Sequence, residues 1–187
     1  MLEKSARFRK GIGYSKSDLI KEGSPIILYG QLYTNYETTI KTINTFVDEK
    51  ENSIISHGRE VIVPASGETS EDIARASAVA VEGVLIGGDI NIIDPDPTIN
   101  STFLALSLSN GRTKKELAKK AQGKSVVHIR NEEIKKLNIL FPIKSEQERL
   151  SDYFSNLDTN ITLHHKKYFD TIFPLKNRCI SKKLIFF

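Results

Sequence analysis

Apolar residues in the first 143 positions fall in short runs that glycine and proline bound, a pattern typical of strands in a compact domain. Four of these runs predict strands, at 24–30, 60–67, 125–129 and 137–142. The stretch 83–94 contains two further apolar runs, separated by Gly87 and Gly88. It therefore predicts two strands joined by either a hairpin turn or a bulge.

Helix signals lie between these runs. Three stretches predict helices, at 101–108, 114–122 and 130–136. Thr69, with Asp72 three residues later, predicts the start of one more short helix. Thr113 and Glu116 have the spacing of a capping box, so the basic helix at 114–122 is predicted to begin there.

Residues 7–20 mix basic, aromatic and glycine residues, which predicts a loop able to approach a polyanion closely. Strands and short helices follow one another along the chain without a regular alternation of strand, helix and strand. That order predicts an α+β fold, a globular mixed domain, rather than a doubly wound parallel sheet.

After Pro142 the pattern changes to that of one long helix. Ser145 and Glu148 form a second potential capping box. Apolar positions then recur at alternating steps of four and three, the spacing of a coiled-coil seam. The predicted seam consists of Leu150, Phe154, Leu157, Ile161, His164, Tyr168 and Leu175.

This change of pattern predicts two domains, a globular domain at 1–143 and a coiled-coil-type helix at 144–187. Pro174 is expected to kink or end that helix. A helix of about 30 residues is roughly 45 Å long, too long for a small domain to cover, so the seam favours a partner helix. An ordinary packed terminal helix is the alternative.

Composition narrows the class of protein. With 39% hydrophobic and 27% charged residues among 187, the chain has the composition of a soluble globular protein. No apolar run approaches the ~20 residues that span a bilayer, and the N-terminus lacks a signal-peptide core. The single cysteine, Cys179, fits a reducing compartment, so we expect a cytoplasmic protein without membrane contact.

The formal net charge of +4 is too small to indicate nucleic-acid binding by itself. Local clustering is more informative, because residues 112–124 contain six basic residues against the single acid Glu116. Such a patch can neutralise phosphates, although a solvated helix face kept for solubility is the alternative.

Sequence motifs for catalysis are missing. There is no phosphate-binding loop and no dinucleotide-binding glycine fingerprint, and the four histidines lack metal-ligand spacing. Ser66 lacks the glycine pattern of a nucleophile elbow and is more consistent with a turn. The acidic proline stretch at 94–97 lacks the aromatic residue that would stack on a target base. These observations weaken several enzymatic interpretations, and the sequence shows no metal-binding or cofactor-binding motif.

A series of phrases in a fixed order resembles one family, the specificity subunits of type I restriction–modification systems. The phrases are GIGYSK at 11–16, EGSPIILYGQLYT at 22–34, VPASGETSEDIA at 63–74, IGGDI at 86–90, AQGKSVVHI at 121–129, and the helix start with Glu146 and Gln147. The resemblance covers about residues 7–183 and corresponds to one target recognition domain with one conserved spacer helix, that is, a half-subunit.

The resemblance implies a non-catalytic chain that recognises one half of an interrupted double-stranded DNA target and docks a methyltransferase subunit. Partner subunits would then supply S-adenosylmethionine binding, and a restriction and translocase subunit would supply ATP-driven cleavage. Because the family usually carries two recognition domains and two helices, we expect a second copy of this chain to pair through the helix. The alternative is an interaction fragment that binds the methyltransferase or another specificity subunit without reading DNA, and an enzyme is a third.

The same resemblance directs the choice of DNA-binding candidates. For phosphate or groove contact we select basic side chains: Lys10, Lys16, Lys114, Lys115, Lys119 and Lys124. For base reading we select polar side chains near glycine-containing loops: Tyr14, Gln31, Tyr33, Asn35, Tyr36 and Ser66. Core packing is the alternative for the tyrosines, and a turn is the alternative for Ser66.

Overall fold

The computed structural model describes residues 1–183, and for Lys166 and residues 169–183 it describes the backbone alone. The chain divides into two compact units, Met1–Ser151 and Asp152 onward. The predicted α+β class is confirmed, because strands and helices alternate irregularly along the first unit.

The strands of the first unit are short. They are β1 (Ala6–Lys10), β2 (Leu19–Ile20), β3 (Ser24–Ile27), β4 (Thr39–Ile40), β5 (Phe46–Val47), β6 (Ile55–His57), β7 (Val61–Pro64), β8 (Ser66–Gly67), β9 (Ser77–Val79), β10 (Glu82–Ile86), β11 (Ile90–Pro95) and β12 (Val127–His128). They form a five-stranded sheet in the order β1-β11-β7-β9-β4, a second in the order β2-β5-β3-β10-β6, and the pair β12-β8. The pairs β3–β10 and β4–β9 are parallel, and the other pairs in these sheets are antiparallel.

The helices are α1 (Gln31–Thr34), α2 (Ser70–Ile73), α3 (Ser101–Ser109), α4 (Gly111–Lys119), α5 (Asn131–Lys135) and α6 (Lys144–Lys183), with short 3₁₀ turns at Leu2–Lys4 and Lys16–Asp18. None of the helices within the described residues is long and apolar enough to cross a membrane. The start of α2 is as predicted, since the Thr69 side chain accepts a hydrogen bond from the Asp72 backbone N–H. By contrast, α4 begins at Gly111, so the capping box predicted at Thr113 is wrong, and Glu116 pairs with Arg112 at 2.7 Å instead.

The central strands of the first sheet, such as β7 and β11, are buried on both faces. All four residues of β7 are buried, and their side chains alternate between two clusters. Val61 and Val63 pack with Leu104 and Leu108 of α3, whereas Ile62 packs with residues of the second sheet such as Ile86. The first sheet therefore lies between a layer of helices and the second sheet.

Three predictions of strands and loops are wrong in whole or in part. Residues 7–10 of the stretch predicted as a loop belong to β1, which pairs with β11 from Ala6 opposite Pro95 to Lys10 opposite Asn91, whereas residues 11–15 lie outside strands and helices as expected. Residues 137–142 form no strand, and the strand predicted at 125–129 is reduced to the two residues of β12.

The strands on either side of Gly87 and Gly88 exist as predicted, but a hairpin or bulge does not join them, because β10 and β11 belong to different sheets. Gly88 allows two backbone segments to approach each other closely. The Gly88 N–H donates to the Gly13 carbonyl at 2.7 Å, and a Cβ atom at Gly88 would lie 2.7 Å from that same oxygen. A side chain at Gly88 would therefore separate the two segments.

The start of α6 also differs from its prediction. The helix begins at Lys144, and the N–H groups of Glu146 and Gln147 both donate to the Ile143 carbonyl, so Ser145 does not cap it. The helix is continuous through Pro174, so it does not end near that residue, and a kink there stays a prediction.

Candidate functional site

A cleft of about 1040 Å³ opens on the first unit. Segments distant in the sequence meet there: the 3₁₀ turn before β2, the start of α1, the β8–α2 segment and the tight turn before β11. Five of the residues selected from the sequence line this cleft, namely Tyr14, Lys16, Gln31, Tyr33 and Ser66. Asn35, Tyr36, Lys10 and the lysines of 114–124 are not part of its lining.

The Gln31 amide is held within the protein. Its Oε1 accepts from the Leu28 N–H at 2.9 Å, and its Nε2 donates to Thr45 Oγ1 at 2.8 Å. Thr45 Oγ1 in turn donates to the Ile26 carbonyl at 2.7 Å. The Gln31 side chain therefore fixes the turn between β3 and α1, and both ends of its amide are hydrogen-bonded to the protein.

The Tyr14 hydroxyl is similarly engaged. It accepts from the Lys50 backbone N–H at 2.7 Å and is hydrogen-bonded to Ser53 Oγ. The Lys50 ammonium lies 4.8 Å from the centre of the Tyr14 ring. Tyr14 also has a left-handed backbone, with φ of 54°, which is uncommon for a bulky residue and is a feature of functional sites.

Tyr33 and Ser66 belong to one hydrogen-bonded chain on the cleft wall. The Tyr33 hydroxyl donates to the Ser66 carbonyl, and the Ser66 hydroxyl donates to the Asp89 carboxylate. Burial raises the pKa of the Tyr33 hydroxyl above its ordinary range, and the negative charge of Asp89 adds to that effect. The hydroxyl thus remains a donor, and the ring is fixed at its far end.

The other two candidates for base reading lie beside the cleft. The Tyr36 hydroxyl is within 3.2 Å of both the Ala76 carbonyl and Ser109 Oγ, and Ser109 is buried. Asn35 ends α1 and is exposed, and its side-chain amide has no hydrogen-bond partner within the part of the chain that the structure describes. Contact of these residues with DNA stays a prediction.

Arg75 is a cleft residue that the sequence reasoning missed. Its guanidinium carbon lies 5.9 Å from the centre of the Tyr33 ring and 5.4 Å from the centre of the Tyr36 ring, within the range of a cation–π contact. The side chain is 23% exposed, and its ion pair with Asp72 is long, at 3.5 Å. One signal was available: Arg75 is the only basic residue between Arg59 and Arg112.

The charge of the cleft lining is mixed. Lys16 and Arg75 contribute positive charge, against the carboxylates of Glu68, Asp72 and Asp89. A site with more acids than bases is poorly suited to cradle phosphates, since like charges repel. It does offer both donors and acceptors, which suits the edge of an uncharged polar group such as a nucleobase.

The basic candidates outside the cleft are on the surface. Lys10 ends β1, Lys114, Lys115 and Lys119 lie on α4, and Lys124 lies in the loop before β12. All are exposed except the half-buried Lys114, and no ion pair involves them within the described residues. They are therefore available to a polyanion, and phosphate contact stays a prediction.

The described side chains of the predicted seam are exposed on α6. Leu150, which belongs to the first unit, is 39% exposed, and Phe154, Leu157, Ile161 and Tyr168 are 41%, 43%, 48% and 66% exposed. His164 is exposed as well, and the Leu175 side chain lies outside the described residues.

No group of three or more potential metal ligands occurs among the residues that the structure describes.

Comparison with known proteins places the chain. The model of a family described as "Type I restriction modification DNA specificity domain" matches residues 4–169. No curated protein matches the sequence. Solved structures with the same fold include the HsdS subunit from Thermoanaerobacter tengcongensis, at 14% identity and a TM-score of 0.59 over 86% of this chain. The S subunit of a type I restriction–modification system from M. genitalium matches at 16% identity and a TM-score of 0.57 over 84% of this chain.

A third structure, described as the basis of complex assembly and conformational transition of the type I R-M system, matches at 15% identity and a TM-score of 0.62 over 86% of this chain. This chain covers only 37% to 38% of those three structures. At these identities the likeness establishes the fold alone. The matched part is less than half of each of the three larger chains.

Proposed function

The chain belongs to the family of type I restriction–modification DNA specificity domains, and we propose that it reads one half of a bipartite DNA target without catalysing a reaction itself. The observation that carries this proposal is the match of the family over residues 4–169, which includes the whole cleft. The cleft adds physical support, because it collects polar side chains from distant segments around a space of about 1040 Å³.

Phosphate contact and base reading would be divided between two surfaces. The exposed lysines of α4 and of the following loop carry charge without internal ion pairs, so they suit sequence-independent contact with the DNA backbone. The cleft, with its mixture of donors and acceptors, suits contact with base edges.

A second chain is part of the proposal. The exposed apolar positions of α6 recur at coiled-coil spacing, and burying a Leu or Phe side chain stabilises an assembly by about 1.5–3 kcal/mol. Pairing of two copies through this seam would supply two reading domains related by two-fold symmetry. Such a dimer would recognise a symmetric, interrupted target.

The catalytic roles belong to other subunits in this proposal. A methyltransferase subunit docked on the helix would bind S-adenosylmethionine and modify the DNA. A restriction and translocase subunit would join through the complex and use ATP. This chain would contribute sequence recognition and spacing.

A different function is favoured by one observation, the excess of carboxylates over basic groups in the cleft. A fragment that binds the methyltransferase or another specificity subunit through α6, without reading DNA, would have no need of a basic cleft. This second candidate keeps the seam as its interface and gives no role to the lysines of α4.

Binding measurements separate the two functions. The purified chain, alone and with the methyltransferase subunit, would be titrated with a library of double-stranded DNA at increasing salt. Sequence recognition predicts enrichment of an interrupted sequence and an affinity that falls steeply with salt. Absence of both would exclude DNA reading and favour the interaction fragment, and a strict monomer in sedimentation at micromolar concentration would exclude the dimer.

A further inference from the structure

We propose that Arg75 is a specificity-determining residue that recognises a guanine in the half-site, with its guanidinium held in place by Tyr33 and Tyr36. This inference rests on the proposed function, because it needs a DNA base in the cleft. It follows from a comparison of which polar groups around the cleft are already hydrogen-bonded and which are not.

Most polar tips of the cleft wall are occupied. The Tyr14, Tyr33 and Ser66 hydroxyls and the Gln31 amide all bond to groups of the protein itself. Using them to read a base would break these bonds, and each broken bond would offset part of what the new contact contributes. These side chains are therefore better suited to hold the shape of the cleft than to contact a base.

Arg75 has the opposite arrangement. A guanidinium has five N–H donors, and among the described residues one hydrogen bond, from Nη2 to Asp72 Oδ1 at 3.5 Å, engages it. That distance is at the outer limit for such a bond. The side chain lines the cleft and is 23% exposed, so it is accessible to a ligand there.

Arg9, in the same protein, is an arginine whose donors are occupied by carboxylates. Its Nε and Nη2 donate to the two carboxylate oxygens of Asp94, each at 2.8 Å, and Nη2 also reaches Glu60 at 3.3 Å. Arg9 is thus held as a bidentate structural pair. Arg75 lacks such a pair, and two aromatic rings position it instead.

The rings fix the guanidinium without using its donors. Tyr33 is tied to the Ser66 carbonyl and Tyr36 to the Ala76 and Ser109 groups, so neither ring is free to turn away. Contact between a guanidinium and ring faces leaves the N–H groups at its edge available. The arginine is therefore pre-organised for a planar, two-acceptor ligand.

Among the groups on DNA, guanine fits this arrangement best. Its N7 and O6 are two acceptors in one plane on the major-groove edge, and arginine binds them bidentately. A phosphate also accepts two hydrogen bonds, but it would bring negative charge close to Glu68, Asp72 and Asp89. A guanine edge brings no net charge, and a neighbouring carboxylate can accept from the N4 amino group of its cytosine partner.

The test compares sequence profiles rather than affinity alone. The chain, assembled with its methyltransferase subunit, would be used to select bound sequences from a randomised DNA library. The same selection would be made with R75K and R75Q, and with R130K as the matched control, because Arg130 is exposed, does not line the cleft and is not one of the residues proposed to contact phosphate. Circular dichroism and thermal unfolding would show that each variant is folded.

We expect wild-type protein to select guanine at a particular position of the half-site. A good bidentate contact is worth about 5- to 150-fold in discrimination, so R75K and R75Q should reduce the preference at that position by this factor and leave other positions unchanged. R130K should leave the whole profile unchanged. An equal loss of affinity for all sequences, or an unaltered profile, would overturn the assignment.

A second measurement does not depend on the folding of variants. The guanines of the selected site would be replaced one at a time by 7-deazaguanine, which lacks the N7 acceptor. Wild-type protein should lose affinity at the Arg75 position, and uniform tolerance of all replacements would refute the contact. If wild-type protein selects no sequence at all, the proposed function fails together with this inference, whereas a preference that Arg75 variants do not move refutes the inference alone.

Discussion

Gln147 joins the first turns of α6 to the segment that precedes α3, and its replacement is the sharpest test of how this junction is held. The side chain is 2% exposed. Its Oε1 accepts from the Asn100 N–H at 2.9 Å, and its Nε2 donates to the carbonyls of Pro142 at 2.8 Å and Thr98 at 3.3 Å. Few side chains other than Gln and Asn can donate twice and accept at once in this geometry.

The expected cost follows from these three bonds. Gln147→Met keeps a similar volume but leaves one N–H and two carbonyls without their partner. At about 1 kcal/mol for each lost bond, and with some rehydration of the carbonyls, the variant should lose about 2–3 kcal/mol of unfolding free energy. For a unit of this size that corresponds to a fall in melting temperature of roughly 5–10 °C.

Chemical denaturation and hydrogen exchange measure the effect together. The Asn100 amide is a direct reporter, because the Gln147 side chain is its acceptor. Its exchange should accelerate in Gln147→Met before the rest of the first unit responds. Glu148→Met is the matched control, since it introduces the same side chain at an exposed neighbour and should stay within about 0.5 kcal/mol of wild type.

A second variant tests the polarity of the bonds rather than their number. Gln147→Glu keeps the acceptor for Asn100 but turns a carboxylate oxygen towards two carbonyls. It should therefore be less stable than Gln147→Met at neutral pH and recover part of the difference when the carboxyl group is protonated. If Gln147→Met unfolds at the wild-type midpoint, the hydrogen bonds do not hold the junction, and the reasoning above is refuted.

Three further predictions concern the buried acid, a cleft glycine and the basic helix. Burial by itself raises the pKa of Glu60, but hydrogen bonds from neighbouring N–H and hydroxyl groups outweigh it, so the pKa is lowered on balance. The charged Glu60 side chain therefore stabilises the fold above the ordinary carboxyl pKa, and this stabilisation is lost as the pH falls through the lowered pKa. Glu60→Gln should cost roughly 3 kcal/mol at neutral pH in urea unfolding, and a gap to wild type that did not narrow in acid would contradict this. A Cβ atom at Gly67 would collide with the Ile73 side chain, so Gly67→Ala should lower the melting temperature and DNA affinity together. Replacing Lys114 and Lys115 by alanine should reduce the salt dependence of DNA binding by about 1.8 in slope, and an unchanged slope would show that neither contacts phosphate.

Local signals in the sequence were sufficient where the structure is local. Thr69 caps α2 and the helix at 101–109 ends before Asn110, because capping and turn preferences act within a few residues. The buried strand β7 was visible as an apolar run for the same reason. The cleft was partly predictable, since five selected residues line it.

Failures arose where distant segments decide the outcome. β1 became a strand because it pairs with β11, about 85 residues away, and its own sequence gives no apolar run. The glycines before β11 suggested a hairpin or a bulge, but the strands beside them pair with other partners in two sheets. Ser145 and Glu148 have the spacing of a capping box, yet the Ile143 carbonyl and the buried Gln147 side chain set the start of α6.

The same distinction separates residues that shape the cleft from residues that are free to read a ligand. Residue type alone favoured tyrosine, serine and glutamine, whose tips can bond to a base. Only the folded structure shows that Tyr33, Ser66 and Gln31 have already used those tips on the protein, whereas Arg75 makes one long hydrogen bond among the described residues. A specific contact requires a donor that folding leaves unpaired and in a fixed position, so the pattern of hydrogen bonds favours Arg75 for that role. In a two-fold dimer, each copy would present this arginine, so a guanine read by one half-site would be repeated in the other.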